Sequence, residues 1–184
     1  MKNKKILQLL YGWRVRMGSL GLLLALILAK PSPLSLGVGF AVCYLGLGLR
    51  AWACGHLKKD KSLAISGPYR FTRNPLYLGN LVIGISVVIA SRSVVVVAYF
   101  ILYFLIFYPV IVSVEKAKMK QRFPAEYLQF EENVPLFFPT LKPSFPRSDQ
   151  RFKWSFYYQN KEWRAGLASF LFWVILFAKL LLLK

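Results

Sequence analysis

The sequence predicts an all-α polytopic membrane protein of about five transmembrane helices. Two observations carry that expectation. Hydrophobic residues make up 57% of the 184-residue chain, yet its formal net charge is +18, a combination foreign to soluble domains. The apolar bulk and the positive charge are also segregated along the chain, as a bilayer demands.

Apolar runs extend from Trp13 to Ala29, Leu34 to Cys54, Leu76 to Ala90, Val94 to Val114 and Ala165 to Leu183. A spanning helix needs roughly 20 such residues, which places the spans at about 13–30, 34–54, 75–91, 94–114 and 165–183 of a single membrane domain, 1–184. The first is the weakest. Its strictly apolar part, Met17 to Ala29, covers about 20 Å, so Arg14 and Arg16 must snorkel. We read it as a membrane helix and not as a cleaved leader, because Lys30-Pro31-Ser32-Pro33 is a poor small-residue cleavage site.

Charge sets the expected orientation. Lys2, Lys4, Lys5, Arg14 and Arg16 precede or open the first span; Lys58, Lys59, Lys61, Arg70 and Arg73 separate the second from the third; ten Lys or Arg residues fall between Lys116 and Arg164. The other two loops hold only Lys30 and Arg92. The positive-inside rule then puts the N-terminus in the cytoplasm and Lys184 outside. All seven acidic residues share the cytoplasmic side. Topology accounts for the charge without nucleic acid, and attraction to anionic headgroups is its natural by-product. Cys43 and Cys54 lie in the second span with no metal-binding spacing, so they read as packing residues and no metal is expected.

Two cytoplasmic segments, 58–75 and 115–139, hold the groups capable of chemistry. In the first, Gly67-Pro68 signals a turn, and Pro75 suits the first position of a helix for which Asn74 is the N-cap. Arg70, Arg73, Asn74, Tyr69 and Tyr77 thus gather at the mouth of a helix whose free N–H groups favour an anion. An interfacial belt of Arg and Tyr is the equal alternative on pattern alone. In the second segment the fourth helix continues to about Phe123 and Pro124 opens a short amphipathic helix. Met119 with Phe123, and Tyr127 with Phe130 and Val134, share faces that either close a pocket or lie on the bilayer. Glu115 ends a span, where a carboxylate needs a cation such as Lys118 or Lys120. His56 reads as an interfacial residue, and Gly46-Leu47-Gly48, Gly37 and Gly39 as sites of close helix packing.

Gly67-Pro68-Tyr69-Arg70-Phe71-Thr72-Arg73-Asn74-Pro75-Leu76-Tyr77-Leu78-Gly79, a transmembrane hairpin, then Glu115 to Pro135: this two-part pattern resembles the isoprenylcysteine carboxyl methyltransferase and phospholipid methyltransferase superfamily. The likeness covers about residues 45 to 139. Asn74 stands where the family has His, Lys116 where it has a second Glu, and Pro124 where it has Gly. The resemblance implies methyl transfer from S-adenosylmethionine, arriving from the cytosol, to a lipophilic acceptor arriving from the bilayer, an isoprenylcysteine-like carboxylate among the candidates. Arg73 and Glu115 are then the catalytic residues. Tyr69, Arg73, Asn74, Pro75, Tyr77, Leu78, Gly79 and Glu115 hold the cofactor in a cytoplasmic pocket between the segment before the third helix and the extension after the fourth. Arg70, Arg122, Tyr127 and Phe130 meet the acceptor. Without imidazole at position 74, an acceptor that needs no general base is favoured. The rival readings are an NADPH-dependent sterol or enone reductase and a non-enzymatic lipid-binding descendant; partners are a lipophilic or lipidated substrate and membrane lipids, with oligomeric state open.

Overall fold

A computed structural model describes residues 2–59, 61–142 and 150–182. Leu183 and Lys184, the expected end of the last span and the residue placed outside, fall beyond the described residues. Those described form seven α-helices and no strand: α1 Lys2–Leu28, α2 Pro33–His56, α3 Pro75–Ser91, α4 Val94–Arg122, α5 Pro124–Asn133, α6 Trp154–Gln159 and α7 Trp163–Leu182, with a 3-10 turn at Gly67–Arg70.

Helices α1, α2, α4 and α7 are long and apolar enough to cross a membrane. The fifth expected span, α3, is apolar but has 17 residues; it rises about 25 Å, less than a hydrocarbon core of about 30 Å. The first helix begins at Lys2, well before the apolar run at Trp13, because lysine, leucine and glutamine favour helix as readily as the apolar residues that follow. As expected, α4 continues past its apolar run to Arg122 and Pro124 opens α5.

Two compact units divide the chain. The first comprises 1–42, 84–118 and 171–184. There the hydroxyls of Tyr99 and Tyr103 on α4 donate to the carbonyls of Met17 and Arg14 on α1 at 2.7 and 3.0 Å. Lys179 of α7 donates to the carbonyls of Leu26 and Ile27 at 2.8 and 2.7 Å, satisfying acceptors that the end of α1 leaves without intrahelical partners. Gly39 packs closely: a Cβ there would meet the Ser86 carbonyl at 2.8 Å, whereas Gly37 faces open space.

The second unit comprises 43–83 and 119–170. Its core joins Ala53, Leu63, Ala64, Tyr69, Tyr127, Phe130 and Val134, with Met119 and Phe123 packed against them. The faces paired in the sequence therefore both turn inward. Gly46 and Gly79 bring the backbones of α2 and α3 together: a Cβ on Gly46 would lie 2.9 Å from the Gly79 carbonyl oxygen. Gly48 has nothing within 4 Å, so of the expected packing glycines only Gly39 and Gly46 serve that purpose.

Candidate active site

The site grows from one glycine. Gly67 has φ of 56°, and the His56 ring stands where its Cβ would be, so the turn Gly67–Arg70 closes over the end of α2 in a way a side chain would prevent. His56 is buried beneath it, with Nδ1 2.9 Å from Ser66 Oγ. His56, at the end of α2, is thus a packed residue. Residues 150–160 hold the same helix end: Asn160 donates to the carbonyls of Cys54 and Leu57 at 3.2 and 2.9 Å, and the Lys153 N–H to that of Gly55 at 2.9 Å.

Beyond the turn, the chain before α3 is stitched to the chain around and after α5. The Arg73 N–H donates to the Pro135 carbonyl at 2.9 Å, Thr72 Oγ1 to the Phe137 carbonyl at 2.8 Å, Asn74 Nδ2 to the Leu136 carbonyl at 2.9 Å, and the Thr140 N–H to the Phe71 carbonyl at 2.9 Å. An ion pair reinforces them, Arg73 to Glu131 at 3.0 Å, with Lys120 on the other Glu131 oxygen at 2.8 Å. The two motif segments, separated by a helical hairpin in sequence, meet here. Asn74 takes the N-cap position, its carbonyl accepting from the N–H groups of Tyr77 and Leu78 at 3.1 Å each, so those two donors are already engaged. Arg73 keeps its Nε buried and without a partner.

Of the other expected site residues, Pro75 and Gly79 are buried, Arg70, Tyr77 and Leu78 are half-buried, and Arg122 is exposed at the end of α4. Tyr127 and Phe130 are core residues whose rings lie edge to face, 6.3 Å between centroids, against the same cluster as Tyr69. The Tyr69 hydroxyl is buried with no hydrogen-bond partner among the described residues. Burial pushes its phenol above the usual range, and the neighbouring Cys54 and Tyr77 add to the effect.

Glu115 belongs to the first unit. It accepts from the hydroxyl of Tyr11 and pairs with Lys118 at 3.5 Å; Lys118 also donates to the Tyr11 hydroxyl at 3.0 Å and lies over its ring. The expected lysine is there, while Tyr11 carried no signal in the sequence. A tyrosine in a helix leading into a membrane reads as an interfacial anchor.

One group of site residues escaped the sequence reading altogether. Arg50, inside the apolar run of α2, is held by Glu162 through Nε at 2.6 Å and Nη2 at 2.7 Å. It also donates through Nη1 to Asn80 Oδ1 on α3. Cys54 completes the group, its thiol donating to Glu162 Oε2 at 3.3 Å. Glu162 is only 7% exposed. The signal was available: an arginine within a membrane-spanning run needs a partner and marks function by default.

Residues 41–126 match the family model of phospholipid methyltransferase. Among curated proteins, the cobalt-zinc-cadmium resistance protein CzcN of Cupriavidus metallidurans is 32% identical over 112 residues, 60% of this chain and 51% of that one. The nickel-cobalt-cadmium resistance protein NccN of Alcaligenes xylosoxydans xylosoxydans is 30% identical over 94 residues, 50% of this chain and 44% of that one. The chain thus spans about half the length of the curated relatives it matches. No solved structure matches. Residues 41–126, which contain the Gly67–Gly79 motif and Glu115, are thus similar to the phospholipid methyltransferase family, one of the integral membrane methyltransferases.

Proposed function

We propose that the protein transfers a methyl group from S-adenosylmethionine to a lipophilic acceptor at the cytoplasmic boundary of the membrane. The observation that carries this reading is the stitching of residues 71–74 to 131–140, which joins the two halves of the family's motif around buried donors. Five membrane crossings, counting α3, and a cytoplasmic N-terminus follow from the charge distribution.

The residues fit the cofactor. Arg73 Nε is a buried donor in want of an acceptor, suited to a carboxylate or a ribose hydroxyl. With its amide N–H on Leu136, Asn74 offers its carbonyl oxygen, suited to an amino group. Tyr69, Tyr77, Leu78 and Gly79 supply walls, and the resemblance in sequence assigns the ammonium of the methionine portion to Glu115. S-adenosylmethionine, when bound, supplies an activated sulfonium methyl. What remains for the chain is to align the acceptor and keep water out. The packed rings of Tyr69, Tyr127 and Phe130 exclude water, and Arg70 and Arg122 are the residues assigned to acceptor charge. No side chain at position 74 can take a proton at neutral pH, which favours an acceptor that is already deprotonated, such as a carboxylate.

The test is thermal unfolding of the purified protein with S-adenosylhomocysteine or NADPH, followed by transfer of labelled methyl from S-adenosylmethionine into extracted lipid. Stabilisation by S-adenosylhomocysteine and label in the organic phase are expected. Stabilisation by NADPH alone would make the protein a reductase, and stabilisation by neither a lipid-binding relative of the enzymes.

A further inference from the structure

The Arg50 cluster has more donors than acceptors. Arg50 gives Glu162 one hydrogen from Nε and one from Nη2, and Asn80 one from Nη1, which leaves a hydrogen unspent on each terminal nitrogen. Glu162 is engaged through both oxygens, since Oε1 accepts from Arg50 and Oε2 accepts from both Arg50 and Cys54. The buried Tyr69 hydroxyl, close enough to Arg50 and Glu162 to feel their charges, has no partner. Asn80, exposed, presents its amide N–H groups alongside. The Tyr69 hydroxyl is buried and the Arg50 side chain is only 18% exposed, and donors with so little access to water call for an acceptor.

Position says where that acceptor comes from. Arg50 lies six residues before the end of α2 at His56, about 9 Å inside the helix end. Glu162 closes one side of the guanidinium, and the exposed Asn80 marks the other as open.

We propose that Arg50 and Asn80 form the recognition point for an oxyanion carried on an apolar chain, with Glu162, just ahead of α7, as the counter-ion of the guanidinium. This rests on the methyl-transfer reading and sharpens it: the acceptor is an amphiphile with a carboxylate or phosphate head, and α7 belongs to the site through Glu162.

The experiment uses the full chain in phosphatidylcholine nanodiscs and reads quenching of its 5 tryptophans by brominated oleic acid, its methyl ester and brominated phosphatidic acid, at a pH where the acid is ionised. A charge-assisted contact predicts that the acid saturates at about tenfold lower mole fraction than the ester. Asn80→Leu, which leaves net charge unchanged, and Arg50→Gln abolish the difference, whereas Glu162→Gln preserves or strengthens it by releasing Arg50. Preference for the acid alone assigns a carboxylate acceptor, and for phosphatidic acid alone a phosphate one. Equal binding of the ester and both acids by the wild type, or a preference that survives both Arg50→Gln and Asn80→Leu, overturns the proposal and leaves the ion pair a structural clamp. Unfolding with S-adenosylhomocysteine in the same discs separates the two readings, since cofactor binding without acid preference removes only the acceptor site.

Discussion

The side-chain amide of Asn74 donates to the Leu136 carbonyl at 2.9 Å, fastening the residue that opens α3 to the chain that leaves α5. Asn74→Ala removes the donor and is expected to lower stability by about 1 kcal/mol. Asn74→Asp sets an acceptor against an acceptor and costs about 2 kcal/mol. Thermal unfolding of the two variants in one detergent gives the order; an Asp variant as stable as wild type would show that the contact is dispensable.

Glycine spacing supplies a second prediction. A Cβ on Gly46 meets backbone on α3, the Gly79 oxygen at 2.9 Å and the Ile83 nitrogen at 3.0 Å, whereas one on Gly48 meets nothing within 4 Å. Gly46→Val must part the two helices and is expected to cost about 1–3 kcal/mol. Gly48→Ala is neutral or stabilising by up to about 1 kcal/mol through helix propensity. Comparable losses at both positions would contradict the close approach.

Much of this was legible in the sequence. The apolar runs placed α2, α3 and α7 to within a few residues, whereas α1 begins well before its run, and Pro124 and Pro75 marked helix starts because proline suits the first turn. The shared faces of Met119, Phe123, Tyr127 and Phe130 were likewise readable from spacing. Arg50 was passed over because it lies within an averaged apolar run, and its partner Glu162 is 112 residues away. No local pattern links them. The engagement of Asn74 with Leu136 was equally hidden, since a backbone carbonyl leaves no mark on residue identity.

Tyr69 combines burial with an unpartnered hydroxyl, and its raised pKa sets a pH dependence. The folded state holds the phenol neutral beyond the point, about pH 10, at which the unfolded chain ionises. Its contribution is therefore complete below about pH 10 and is lost as pH rises from there toward the folded value, by up to about 1.4 kcal/mol per pH unit. Tyr69→Phe removes that loss. It also removes a desolvated hydroxyl that gains nothing in the ligand-free protein, so this variant is expected to be as stable as wild type at neutral pH or more stable, by about 1 kcal/mol, and to lose less stability between neutral and alkaline pH. Unfolding midpoints measured across that range decide it: a destabilised Phe variant at neutral pH means that the hydroxyl has a partner.

Glu115 tests the cofactor assignment directly. Its carboxylate is shared by Tyr11 and Lys118, so a ligand ammonium has to join or displace Lys118, whose side chain is 50% exposed and gives way at little cost. Lys118→Ala is therefore expected to leave the affinity for S-adenosylhomocysteine within about threefold, because it removes a competitor and not a ligand contact. Glu115→Ala removes the carboxylate proposed to meet the ammonium and is expected to weaken binding by about tenfold or more. Tyr11→Phe falls between, since the hydroxyl orients the carboxylate without carrying its charge. Titration calorimetry on the three variants gives the ranking, and equal affinity in the Glu115 and Lys118 variants would take Glu115 out of the site and leave it as the end-of-helix ion pair that its place in α4 alone would explain.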